Sequence, residues 1–235
     1  MLFLLPPSET KASGGGGLTI DQVALTFGGL NKARDAVRAA ANLESVLSAP
    51  TMPAVDRYTG TLYSAIHGRG LKGTETQFNQ LTSQERSRAK ESVLVQSALF
   101  GLIPVTDLIP EYKLNPTKLV SGLSLKKTWA EAHLSIWPRL NGLIIDLRSK
   151  SYAELAPIPD EIEHCTVSVF VEREDGVREQ LNHFNKKAKG QLVRAALSAS
   201  QAPKTIKDLQ NCAAEAGLKL EVRGLQLILV TTSAT

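Results

Sequence analysis

The 235-residue chain is long enough to bury a substantial core as one large domain or two small ones. Hydrophobic residues make up 43% and charged residues 21%, a globular composition that excludes a disordered chain. A formal net charge of +4 and a pI near 9.1 exclude a histone-like coat, so any nucleic-acid contact must come from local clustering of charge.

Leu2 to Leu5 is a continuously apolar run ended by Pro6 and Pro7, the pattern of a buried strand. With five apolar residues before the proline pair it is too short for a signal peptide or a membrane span, and a cytoplasmic protein with no membrane partner is expected. Ser13 to Gly17 reads as a flexible loop, and helical patterning begins at Ile20-Asp21. Leu30 to Leu47 predicts one long helix, with Leu30, Ala33, Val37, Ala40 and Ala41 on one side and Pro50 and Pro53 closing it. Tyr58 to Ile66 predicts a turn at Gly60 and a short helix, and the glycine-rich stretch Gly68 to Gly73 separates it from a helix at Thr82 to Lys90. Val93 to Val95 reads as a second buried strand, Ser97 to Pro110 as apolar and irregular, Leu123 to Trp137 as helical, and Leu143 to Leu147 as a third buried strand.

Beyond these, Thr166 to Glu172 and Arg178 to Phe184 flank Glu174-Asp175-Gly176, a hairpin signal because Asp-Gly supplies positive φ angles. Lys186 to Ser200 and Thr205 to Ala216 read as helices, and Leu218 to Val222 with Leu225 to Val230 as a second hairpin. Strands interleave with helices early and hairpins dominate late. That mixture predicts an α/β fold with an α+β tendency: a single domain, residues 1–235, with a mixed β-sheet flanked by helices.

The residues able to carry chemistry fall in four places. Lys186, Lys187, Lys189 and Arg194 lie where a strand hands over to a helix. Lysines in a first helical turn oppose the helix dipole, and a bound phosphate would relieve that conflict; the plain alternative is a solvated patch. Ser8 and Lys11 follow the first strand, where ligands gather in sheets with parallel strands, although Ser8 could simply cap a helix. Tyr58, Gly60 and Tyr63 could stack a base or bond a ligand, or be half-buried phenols with satisfied hydroxyls. Asp146, Arg148, Ser149 and Tyr152 follow the third buried strand and could line a cleft or cap the next helix.

Cys165 and Cys212 lack CxxC pairing, which excludes a cysteine-based zinc site and gives no disulfide framework. The four histidines have no metal-ligand spacing, and no Walker A, GxSxG or GxGxxG pattern occurs. No metal and no cofactor is expected, and whether the chain is an enzyme is left open.

Taken in order along nearly the whole chain, these segments resemble the bacterial YaaA peroxide stress family. The resemblance rests on the opening strand with Pro7-Ser8-Glu9-Thr10-Lys11, on Tyr58 to Tyr63, and most specifically on Ser97 to Leu114. Trp129, Asp146 to Tyr152, and Phe184 to Arg194, which is similar to the family's F-x-x-K-K-A-R-G run, complete it. Leu99-Phe100-Gly101 and Ile103-Pro104 stand where the family often has Leu-Tyr-Gly and Leu-Arg-Pro, so a phenol and an arginine are lost, and Asp146 stands where asparagine is usual.

The resemblance implies a DNA-binding protein of the peroxide and oxidative stress response with a basic cleft. It also implies a helix-hairpin-helix-like element, which maps to Ser97 to Pro110. The expected partner is double-stranded DNA, bound with weak sequence preference through Lys11, Lys186, Lys187, Lys189 and Arg194. The rival expectation is an enzyme or binder of a phosphorylated or nucleobase-like metabolite, using a pocket formed by Ser8, Tyr58, Gly60, Tyr63, Asp146, Ser149 and Tyr152. A deep pocket would favour the metabolite and a flat basic groove would favour DNA.

Overall fold

The computed structural model describes residues 1–68, 81–173, 175–179 and 182–232. Residues 69–80, within which most of the Gly68 to Gly73 stretch falls, and Glu174 of the first hairpin signal lie outside the described residues. The opening apolar run forms β1 (Leu2–Leu5), in which Phe3, Leu4 and Leu5 are buried, as expected of a strand covered on both faces.

The predicted long helix at Leu30 to Leu47 is shorter. It runs as α1 (Asn31–Ala40), turns at Asn42, and resumes as a 3-10 helix at Glu44–Ser48. Asn42 sits at φ +54°, and the amides of Asn42 and Leu43 cap the carbonyls of Ala39 and Arg38. Asparagine tolerates this left-handed geometry, and periodicity alone cannot see it. A short strand β2 (Thr51–Pro53), a helical turn α2 (Ala54–Arg57) and α3 (Thr61–Ile66) follow. Arg57 is fully buried and donates to carbonyls of Ala12, Gly14, Pro50 and Ile109, tying the glycine loop to the body.

Next come α4 (Ser83–Ser92), opened by a Thr82–Glu85 capping box, and β3 (Val93–Ser97). Ser97 to Pro110 is not irregular and holds no helix. It forms β4 (Gly101–Pro104), antiparallel to β3, and β5 (Leu108–Pro110), paired with β2. The helix-hairpin-helix-like element therefore does not occupy this segment. Its apolar residues are buried in the strands and the turns between them, Leu108 only partly, and Gly101 at φ +65° makes the turn against the Trp129 ring.

The helix α5 (Leu125–His133) stops short of the predicted Trp137, which begins a 3-10 turn of its own. The chain continues through β6 (Ile144–Asp146), α6 (Lys150–Ala153), β7 (His164–Glu172) and β8 (Arg178–Glu179). It ends with α7 (Asn182–Ser198), α8 (Ile206–Glu215), β9 (Lys219–Arg223) and β10 (Gln226–Thr232). The second arm of the first hairpin, predicted as Arg178 to Phe184, contains β8 at Arg178–Glu179 and gives way to α7 by Asn182; residues 180 and 181 lie outside the described residues.

The main sheet has the order β4-β3-β1-β6-β7-β10-β9, with β8 attached to β7. Its central strands β3, β1, β6, β7 and β10 are parallel, and antiparallel partners close both edges. This is a single α/β domain with a mixed sheet. The chain leaves β1 for β3 on one side and returns for β6 on the other, so the order reverses at β1. Such a reversal opens a crevice beyond the carboxyl ends of the strands.

Candidate functional site

A cleft of about 610 Å³ lies at that crevice. One wall is the loop leaving β1, Pro6 to Thr10, and a second is the segment leaving β6, Leu147 with Ser149, Ser151 and Tyr152. Gly60 to Tyr63 at the start of α3, the turn Asn115 to Thr117, and Asn185, Lys186 and Lys189 of α7 complete it.

The first wall is fixed by local bonds. Ser8 Oγ accepts from the Gly60 amide at 2.9 Å, and Tyr63 donates its hydroxyl to the Pro6 carbonyl at 2.8 Å. A β-carbon on Gly60 would fall 2.4 Å from Ser8 Oγ, so this contact requires glycine. Lys11 donates back to the Ser8 carbonyl at 2.9 Å, and its ammonium lies 4.3 Å from the centre of the Tyr112 ring. Burial pulls the Lys11 amine down to about 8, against the pull of Glu111 and Glu9.

Behind this wall the phenols form a network. Tyr58 and Tyr112 hydroxyls are 2.8 Å apart, Tyr112 meets Ser97 Oγ at 2.8 Å, and Ser97 Oγ accepts from the amides of Leu99 and Phe100. Burial pushes the Tyr112 phenol up to about 12 and raises Tyr58, Tyr63 and Tyr152 as well, so all four are neutral hydroxyls at neutral pH.

On the second wall, Asp146 is buried under the cleft floor rather than exposed to it. Its carboxylate takes the Arg148 amide, Nε and Nη2 at 2.9, 2.9 and 2.8 Å, a two-pronged pair in which both oxygens are committed. Arg148 Nη1 reaches the Ala156 carbonyl at 2.8 Å. The pair shapes the turn after β6 and presents Leu147, whose carbonyl accepts from Lys189 Nζ at 3.0 Å.

The expected cationic set is divided by the fold. Lys186 is exposed at the mouth and Lys189 is inside with 7% exposure, its amine lowered by burial to about 8. Lys187 is half-buried and outside the lining, and Lys11 lies behind the first wall. Arg194 is two turns further along α7, paired with Glu85 at 3.0 Å and donating to the Ile66 carbonyl, where it ties α7 to α4 and α3. Because α7 begins at Asn182, the lysines fall in its second turn. Their amides are committed to the helix, and the dipole argument for a first-turn phosphate does not apply to them.

Of the expected pocket residues, Ser8, Gly60, Tyr63, Ser149 and Tyr152 converge on the cleft, while Tyr58 and Asp146 support it from behind. Sequence reasoning missed Thr10, Ser151, Asn185 and the Asn115-Pro116-Thr117 turn. The Asn-Pro pair is a turn signal legible in the chain, and Asn115 Oδ1 accepts from the Thr117 amide and hydroxyl. Among the described residues no group of three or more His, Cys, Asp or Glu stands close enough to hold a metal ion, and no helix is long and apolar enough to cross a membrane.

A family described as peroxide stress protein YaaA matches residues 18–222. A UPF0246 protein of Corynebacterium glutamicum strain R is 34% identical over 249 aligned positions, covering 94% of this chain and 95% of the relative. One from Corynebacterium efficiens is 33% identical with the same coverage, and one from Streptomyces coelicolor is 31% identical over 94% of this chain and 92% of its own.

Proposed function

Since the chain belongs to the YaaA peroxide stress family, we propose that it serves the stress response by binding a phosphorylated, nucleobase-like ligand in the cleft beyond β1 and β6. The carrying observation is a buried lysine in a hydroxyl-rich cleft at a reversal of strand order. The volume of about 610 Å³ is that of a small-molecule site. Lys186 at the mouth gives a cationic position for an anion, Lys189 inside gives a buried amine, and the hydroxyls of Ser8, Thr10, Ser149 and Ser151 give acceptors and donors for a sugar or base.

The same phosphate chemistry can be offered by DNA. Lys186 and Lys187 have no ion pair among the described residues, which favours a reading in which a duplex lays its backbone across the rim. The two sources separate in one experiment. Thermal-shift and calorimetric titrations with nucleoside monophosphates, inorganic phosphate and a random duplex are run across a salt series. A free nucleotide ligand gives saturable stabilisation with shallow salt dependence, reduced by Lys186→Ala. A duplex gives affinity that falls steeply with salt, and Lys186→Ala or Lys187→Ala each lowers the slope by about one, the share of a single neutralised phosphate. No stabilisation by any nucleotide, with duplex binding indifferent to both substitutions, overturns the proposal.

A further inference from the structure

Lys189 is an unusual resident of the cleft. It is only 7% exposed, and the carboxylate nearest in sequence to its carbonyl partner, Asp146, already has both oxygens taken by Arg148. It has no ion pair among the described residues. Its single described hydrogen bond goes to the backbone carbonyl of Leu147, an acceptor that a neutral amine can also meet with one of its two N–H groups. The position is also firmly rooted. At the next residue, Gly190, a β-carbon would come within 2.2 Å of the Leu62 carbonyl, so α7 rests directly on α3 at this point.

We infer that Lys189 is a nucleophilic amine that captures a carbonyl group of a phosphorylated ligand as an imine. The inference rests on the cleft reading above and names the reactive group that the ligand brings. Lys186 at the mouth is the cation left for the phosphate, while Lys189 addresses the other end of the ligand. In the step, the nitrogen lone pair attacks the carbonyl carbon, a C–N bond forms, and the C=O π pair moves to oxygen, which takes a proton. Loss of that oxygen as water leaves a protonated imine. Amine plus carbonyl plus one proton drawn from solvent gives the protonated imine plus water, and no oxidant or reductant is required.

Burial supplies the reactivity. With its amine near 8, Lys189 has a neutral fraction at pH 7 roughly two orders of magnitude above that of an ordinary lysine. Asp146 pulls in the opposite direction, and burial outweighs it. Tyr152, Ser149 and Ser151 share the lining and are neutral hydroxyls able to relay the protons of carbinolamine dehydration.

The test uses the full-length protein, with pyridoxal 5′-phosphate as a phosphorylated aldehyde probe and borohydride to fix any imine, followed by peptide mapping. The expected result is one dominant adduct on Lys189, forming faster as pH rises through 8 and suppressed by a nucleoside monophosphate. Unphosphorylated pyridoxal should label about tenfold less, one anion contact's worth. Lys189→Arg, which keeps the charge and loses the nucleophile, should abolish that adduct while melting cooperatively.

Adducts spread over Lys186, Lys187 and other exposed lysines, with Lys189 unmodified, overturn the inference. If nucleotides still stabilise the protein in that case, the cleft reading stands without it; if they do not, both fall. The wild-type map alone decides the point should the variant fail to fold.

Discussion

Lys189 opposes folding at neutral pH. Its amine is near 8 in the folded protein and near 10.5 when unfolded, so the unfolded chain binds the extra proton between those values. Stability from this group is complete above about pH 10.5 and is lost as pH falls through 8. Lys189→Met, which removes the buried charge at similar length, should therefore raise the melting temperature at pH 7, with the advantage shrinking toward pH 10. A lower melting temperature at both pH values would show the Leu147 hydrogen bond outweighing the desolvation. His133 gives a second pH dependence at the opposite end of the scale. Its Nδ1 faces the Trp129 carbonyl at 2.7 Å, its Nε2 is buried without a described partner, and burial lowers it to about 4, helped by Arg148 and Arg34. The unfolded imidazole titrates near 6.5, so stability is full above that value and declines as pH falls toward 4, by at most about 1.4 kcal/mol per pH unit. Urea titrations of His133→Gln should show a flatter decline than wild type across pH 6.5 to 4.

At the scale of elements, the second and third turns of α7 read differently in three dimensions from their appearance in sequence. The run Lys186 to Arg194 has the look of one basic feature along the chain, but successive residues on a helix point about 100° apart. The helix sends Lys186 and Lys189 to the cleft, Arg194 to Glu85 on α4, and Ala188, Leu192 and Val193 to the core. Gly190 is the residue that lets α7 lie on α3. Alanine there gains about 1 kcal/mol of helix propensity but places its methyl 2.2 Å from the Leu62 carbonyl and 2.7 Å from Ala65 Cβ. Gly190→Ala should thus be net destabilising by about 1–3 kcal/mol in denaturant unfolding. It should also weaken nucleotide binding, because α7 carries the lysines that line the cleft. Gly101 is an equivalent case in the β3–β4 hairpin. Its φ is +65°, and a β-carbon there would fall 2.4 Å from the Trp129 ring, so both backbone and space demand glycine. That hairpin lies where the family resemblance points to a helix-hairpin-helix-like element. Glycine and proline punctuation marks turns but does not distinguish turns between helices from turns between strands.

At the scale of the whole molecule, the cleft exists because the sheet reverses order at β1, and its walls come from segments as distant in the chain as Pro6 and Lys189. The salt series belongs at this scale, since it asks whether the cleft or the rim as a whole meets the anion. If the cleft is the site, Lys186→Ala should weaken a nucleoside monophosphate more than Lys187→Ala does, because only Lys186 is in the lining. Equal losses from both would favour a rim contact with a polyanion.

The sequence by itself determined the buried strands β1, β3 and β6, the mixed α/β class, and the family. It also marked Ser8, Gly60, Tyr63, Ser149, Tyr152, Lys186 and Lys189 as candidate site residues, all of which line the one cleft. These are legible because continuous apolar runs, turn residues and local motifs are properties of neighbours in the chain. Only the tertiary structure decided that Asp146 serves Arg148, that Tyr58 serves Tyr112, that Arg194 serves Glu85, and that Lys189 lies buried in a cleft without a carboxylate partner among the described residues. Which partner a polar group finds, and how much water it loses, depends on segments brought together by strand order, and no local pattern encodes that distance.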